Sequence, residues 1–151
     1  MHIASLAVCM LLVLASLPAA AAGKKYFLTP EAFAMGDVRD ACGKGYHVAS
    51  LWEIFDFTAL QYDTKRGHAL MTGSGGPPSD LYGWIETAGD DSASTVVGFG
   101  NCLGFTSSDA GDYGTVVRFP TNWAATPTVI SPWDGGTSTS NVPRNVWCKQ
   151  D

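Results

Sequence analysis

A cysteine, a histidine and a glutamate crowd into residues 40–54, DACGKGYHVASLWEI. Cys42 and His47 form a dyad of the kind that activates a nucleophile, provided the sulfur exists as a free thiolate. A bridged sulfur offers none, and in an exported chain Cys42 reads first as half of a structural cystine. His47 and His68 are the histidines beyond the leader, with no cluster of further nitrogens or thiolates beside them, so a zinc centre is not expected. Asp109 and Asp112, like Asp90 and Asp91, could offer oxygens to a cation. Neither stretch has the alternating acids, central glycine and closing glutamate of a calcium loop, and both read as solvated turns. No Gly-x-Ser-x-Gly elbow, phosphate loop or dinucleotide fingerprint occurs. No catalytic residue, metal or cofactor is therefore expected. The remaining candidates are loop tryptophans: Trp123 beside Asn122, and Trp133 beside Asp134. An indole face excludes water while a neighbouring amide or carboxylate orients a ligand, which makes these four the candidate ligand-binding residues.

Elements must position these groups, and the first segment of the chain is not among them. Residues 1–22 carry no Lys, Arg, Asp or Glu, and an apolar run leads into Pro18 and a string of alanines. Ala20 and Ala22 fit the small-residue rule for cleavage, so residues 1–22 read as a signal peptide and Gly23 as the mature N-terminus. The apolar core is shorter than a membrane span requires. Residues 23–151 suffice for one domain, with no membrane span expected after signal removal. Nine basic against fourteen acidic side chains give a net charge of −5, which argues against a nucleic-acid partner. The expected location is secreted, periplasmic or extracellular. Cys42, Cys102 and Cys148 remain there, an odd number with three possible pairings.

Residues 26–29, YFLT, predict an opening strand. The first helix has two candidate starts, Pro30 after Thr29 with Gly36 interrupting it, or Asp37 as its cap, and Gly43 and Gly45 stop it. Ser50-x-x-Glu53 is a capping box ahead of an apolar run, and Leu51, Ile54, Phe55 and Thr58 share a face of a helix over 51–59. A long loop follows over 63–80. Short strands are expected at 81–87, 102–106, 114–119 and 145–149, with loop over most of 120–143. Trp52, Trp84 and Trp147 fall in these elements and are expected in the core. The pattern predicts an α+β domain: two short helices, short antiparallel strands and long irregular loops.

Taken in order, Asp40-Ala41-Cys42, Gly45-Tyr46-His47-Val48-Ala49-Ser50-Leu51, Glu53, GWIET at 83–87 and NVWCKQ at 145–150 resemble the C-type lectin-like domain. The match spans roughly residues 26–150 and is similar to bacterial secreted members with an ACxxGYHxASLWEI segment. The resemblance implies that Cys42 bonds to Cys148, tying the first helix to the last strand. It places His47 where the chain turns between helices, in a packing role. It also implies a second bridge from Cys102, but residues 135–141, GGTSTSN, hold no cysteine, so Cys102 is left an unpaired thiol. The family's calcium-dependent sugar site needs a Glu-Pro-Asn type triplet and a Trp-Asn-Asp element; here only Trp133-Asp134 echoes the second. The expectation is a non-enzymatic recognition module whose partner is a glycan or a protein surface, held by the loops between 63 and 140. The alternative is a structural subunit of an extracellular assembly, a homo-oligomer joined through strand edges or Cys102.

Overall fold

The computed structural model describes residues 23–56, 59–68, 76–89, 91, 93–119 and 133–151. These form a mixed α/β fold with a seven-stranded sheet and three short helical segments. The strands are β1 (Lys24–Leu28), β2 (Tyr46–Val48), β3 (Leu60–Tyr62), β4 (Gly83–Trp84), β5 (Tyr113–Arg118), β6 (Asp134–Thr139) and β7 (Asn145–Gln150). Their order is β3-β1-β7-β4-β5-β6, with β2 also paired to β7. Contrary to the antiparallel expectation, the sheet is mixed: β1 runs parallel to β3, and β4 parallel to β7. Strands β2, β3 and β6 were not foreseen. The first two are three residues each, too short for a periodic signal, and β6 is built from DGGTST, which reads as loop by composition.

Strand β7 organises the rest. Its Val146 and Cys148 enter one apolar cluster with Phe27, Met35, Val38, Trp84 and Val116. The alternate Trp147 enters a second cluster with Tyr26, Leu28, Ile54, Ile85 and Val117. Neighbours along a strand point to opposite faces, so strands carrying consecutive apolar residues must be covered on both. That is why YFL, VV and VWC read as unbroken apolar runs. Trp84 and Trp147 are fully buried, as expected of core residues.

Cys42 bonds to Cys148, with Cα atoms 5.5 Å apart and a sequence separation of 106. The bridge fastens the turn after a 3-10 helix, Met35–Asp40, to the central strand. That helix buries Met35 and Val38, three residues apart as 3-10 geometry aligns them. Its cap position is Ala34, not Asp37, which lies in the first turn.

Helix α1, Leu51–Phe55, opens on the expected capping box: Glu53 N donates to Ser50 Oγ (3.3 Å) and Ser50 N donates to Glu53 Oε2 (3.0 Å). It ends four residues short of the expected boundary, because the chain must turn to enter β3 at Leu60. Little more than one turn long, α1 turns only Ile54 fully into the core. Phe55 and Trp52 are each 70 % exposed, so Trp52 is not the core residue its position in a helix predicted. Thr58 lies outside the described residues. The strand expected over 81–87 contracts to β4, with Glu86 joined to Ser50 by an isolated bridge.

Candidate functional site

The segment expected as a strand at 102–106 takes the least ordinary backbone in the molecule. Cys102, Leu103, Gly104 and Phe105 have φ of 52°, 52°, 63° and 63°, forming one turn of left-handed helix. Its bonds run from Phe105 N to Asn101 O (2.7 Å) and from Thr106 N to Cys102 O (3.1 Å). Each non-glycine residue held this way costs roughly 1–2 kcal/mol, because Cβ crowds the following carbonyl. Surrounding bonds over-determine the turn. Asn101 Oδ1 accepts from Gly104 N (3.0 Å), Asn101 Nδ2 donates to Thr87 O (3.1 Å), and Arg39 Nε donates to Gly104 O (2.9 Å). Cys102 and Phe105 are buried as anchors, which leaves Leu103 pointing outward, 48 % exposed.

Just upstream, Val96-Val97-Gly98-Phe99 closes a turn through Phe99 N to Val96 O (3.2 Å), with Gly98 at φ 89° where an L side chain would be strained. Buried Thr115 of β5 pins it: Gly98 N donates to Thr115 Oγ1 (2.9 Å), which donates on to Gly100 O (3.0 Å). Val97 rests on β6, where a Cβ at Gly135 would lie 2.8 Å from Val97 Cγ1. Val96, Val97, Phe99 and Leu103 are the large exposed apolar side chains of this loop. These side chains are exposed on a backbone fixed by bonds to β5. Sequence reasoning missed this exposure. The one signal was a run of apolar residues interleaved with glycines, VVGFGNCLGF, in an otherwise polar region, and pattern alone does not tell display from burial.

Of the four residues singled out from sequence, the described pair, Trp133 and Asp134, point to different surroundings. Trp123 and Asn122 lie outside the described residues. Trp133 is 9 % exposed, packed 4.1 Å from the Phe119 ring and 5.0 Å from Trp147, and its Nε1 donates to the Ile54 carbonyl (3.0 Å). That carbonyl is accessible because α1 stops there and leaves its last-turn oxygens without helical partners. Asp134 points elsewhere, into a surface cluster: it accepts from Arg118 Nε (2.9 Å) and from Tyr82 OH (3.2 Å), while Arg118 also pairs with Asp80 and lies over the Tyr82 ring. Trp133 is thus a core residue and Asp134 a charge partner.

Cys42, being bridged, offers no nucleophile. His47 is half-exposed and sits between carboxylates instead of packing at a turn: Nε2 meets Glu53 Oε1 (3.0 Å) and Nδ1 meets Asp151 Oδ1 (2.7 Å). Lys149 Nζ reaches the same Glu53 oxygen (3.1 Å). Burial opposes charge on both partners, but hydrogen bonds from the Ser50 backbone, Lys149 and His47 prevail and hold the Glu53 carboxyl at about 2. The Asp151 and Glu53 carboxylates likewise outweigh burial and raise His47. Cys102 is unpaired and fully buried, and burial pushes its thiol up, away from the reactive thiolate. Asp109 and Asp112 tie their own turn: Gly111 N donates to Asp109 Oδ1 (2.7 Å) and Ser107 Oγ donates to Asp112. Among the described residues, no cluster of three or more His, Cys, Asp or Glu is arranged to hold a metal, and no helix is long and apolar enough to cross a membrane.

Comparison with protein-family models, with curated proteins and with solved structures finds no match to this chain.

Proposed function

We propose that this chain is a secreted, non-enzymatic recognition module with a C-type lectin-like fold, and that it binds a protein surface through the apolar ridge of residues 96–103. One observation carries the reading: a strained left-handed turn holds Leu103 outward, and the segment just before it, tied to β5, exposes Val96, Val97 and Phe99. Strain of this kind persists only where the surroundings enforce it, and it gathers at functional segments. Apolar anchors of this kind suit a protein partner. The Cys42–Cys148 bridge and the capped α1 support the lectin-like assignment, because both follow the order of motifs that led to it.

A displayed-peptide library panned on the native protein tests this. Selected ligands should lose at least tenfold in affinity on the double variant Phe99→Ser/Leu103→Ser; ligands that bind both proteins alike would exclude the ridge. A glycan array read with and without chelator covers the sugar alternative, and chelator-sensitive binding there would overturn the protein reading.

Assembly into a larger extracellular structure is the second reading. The observation in its favour is that β6 ends the sheet among the described residues, leaving a strand edge for a neighbour. The burial of Cys102 removes the thiol route, so Cys102→Ser should leave the sedimenting mass unchanged.

A further inference from the structure

A second region, separate from the ridge, has the character of a small-molecule site. A cleft of about 310 Å³ opens beside the disulfide. Phe27, Phe33 and Cys42 supply apolar wall, and Glu31, Asp40 and Arg66 line it with charge. They come from strand β1, the segment after it, the end of the 3-10 helix and the turn before residue 68. The bridge holds the third of these segments against the sheet that carries the first. The fourth is fixed by backbone bonds from Asp63 N to Tyr26 O (2.8 Å) and His68 N to Leu28 O (2.8 Å).

The charges in the cleft are not spent on one another. Among the described residues, no ion pair involves Glu31, Asp40 or Arg66, and all three are exposed. The Arg66 guanidinium is nevertheless held in place, 4.6 Å above the Tyr46 ring, which meets Phe27 edge-on at 5.1 Å. Tyr46 is itself fixed, donating its hydroxyl to Asp63 (3.1 Å). A planar cation positioned by stacking keeps its N–H edge for a carboxylate. The two carboxylates call for an ammonium, and the phenylalanines call for an apolar body between the charged ends.

We propose that this cleft binds a small zwitterion with an apolar side chain, of the size of an aromatic amino acid: its carboxylate on Arg66, its ammonium toward Glu31 and Asp40, its apolar body on Phe27 and Phe33. The volume lies at the small end of ligand pockets, which fits a ligand of that size.

Three probes on one skeleton test the assignment: L-phenylalanine, phenethylamine, which lacks the carboxylate, and 3-phenylpropionate, which lacks the ammonium. Each is titrated into the intact, oxidised protein by NMR, following the amides of residues 41–43 and 66. L-Phenylalanine should saturate those shifts with an affinity at least tenfold above either relative. Arg66→Gln should bring it down to the level of phenethylamine, and the paired Glu31→Gln/Asp40→Asn to that of 3-phenylpropionate. All three positions are exposed, so the variants should keep the native circular dichroism. Equal binding of the three probes, absence of saturation, or shifts confined to other residues would overturn the proposal. Phe99→Ser/Leu103→Ser should leave this binding intact, so the cleft and the ridge stand or fall separately.

Discussion

Two loop-bearing parts of this molecule are held in place by opposite means. Around Cys42 and β7, irregular backbone is fastened by a covalent bridge, paired strands and ion pairs, and every backbone choice is an inexpensive one: positive φ falls on Gly43 and Gly45. Around residues 96–105, nothing covalent intervenes. Positive φ falls on Cys102, Leu103 and Phe105, and hydrogen bonds of Gly104 with Asn101 and Arg39 hold it. The first region lowers the entropy of the unfolded chain; the second stores strain in the folded one. Stability resides in the former and display in the latter.

The largest effect should follow from breaking the first. Removing the bridge with Cys42→Ala/Cys148→Ala frees a loop of 106 residues, for which chain entropy gives a loss of roughly 4–5 kcal/mol. Urea unfolding of the variant against the oxidised parent measures it; a shift below about 1 kcal/mol would mean that strand pairing alone holds β1 to β7.

Next comes the junction between the two regions. A Cβ at Gly114 would lie 2.7 Å from Trp84 Cζ3 and 2.8 Å from Cys102 Sγ, both in the core. Gly114→Ala should therefore destabilise by about 1–3 kcal/mol through overpacking, read as a lowered urea midpoint. Leu103→Gly should act in the opposite direction, stabilising by about 1 kcal/mol by releasing left-handed strain while abolishing ridge binding. A destabilised Leu103→Gly protein would show that this turn is not strained.

The smallest effect concerns His47. Its raised folded value means that its contribution is fully present below pH 6.5, the unfolded value, and fades as pH rises through the higher folded one. With the imidazole half-exposed among Glu53, Asp151 and Lys149, the effect should be ~0.3–0.5 kcal/mol. His47→Gln should flatten the stability profile across that window. At the acid end the direction reverses for Glu53, whose contribution is present above its unfolded value of 4.5 and is lost as pH falls toward 2.

Legibility followed the range of the interaction. The capping box at Ser50 and Glu53 was readable because both partners lie within one turn. The strands β5 and β7 were readable because their apolar and β-branched residues lie within a few positions of one another. The burial of Trp133 was not legible, because its partners, Ile54 and Trp147, are remote in sequence and no local pattern announces them. The 102–106 segment was misjudged for a different reason. Its residues suit a strand, and only burial of Cys102 and Phe105 together with the Arg39 and Asn101 contacts turns the chain left-handed.

The sequence by itself determined the local grammar: where α1 begins and where β1, β5 and β7 run. Its glycines and apolar alternation carry that information within a few residues. Tertiary structure alone decided which apolar side chains are displayed and which charges stay unspent. Exposure of Leu103, burial of Trp133 and the gathering of Glu31, Asp40 and Arg66 around one cleft each depend on segments far apart in the chain, whose closure is set by the bridge and the sheet.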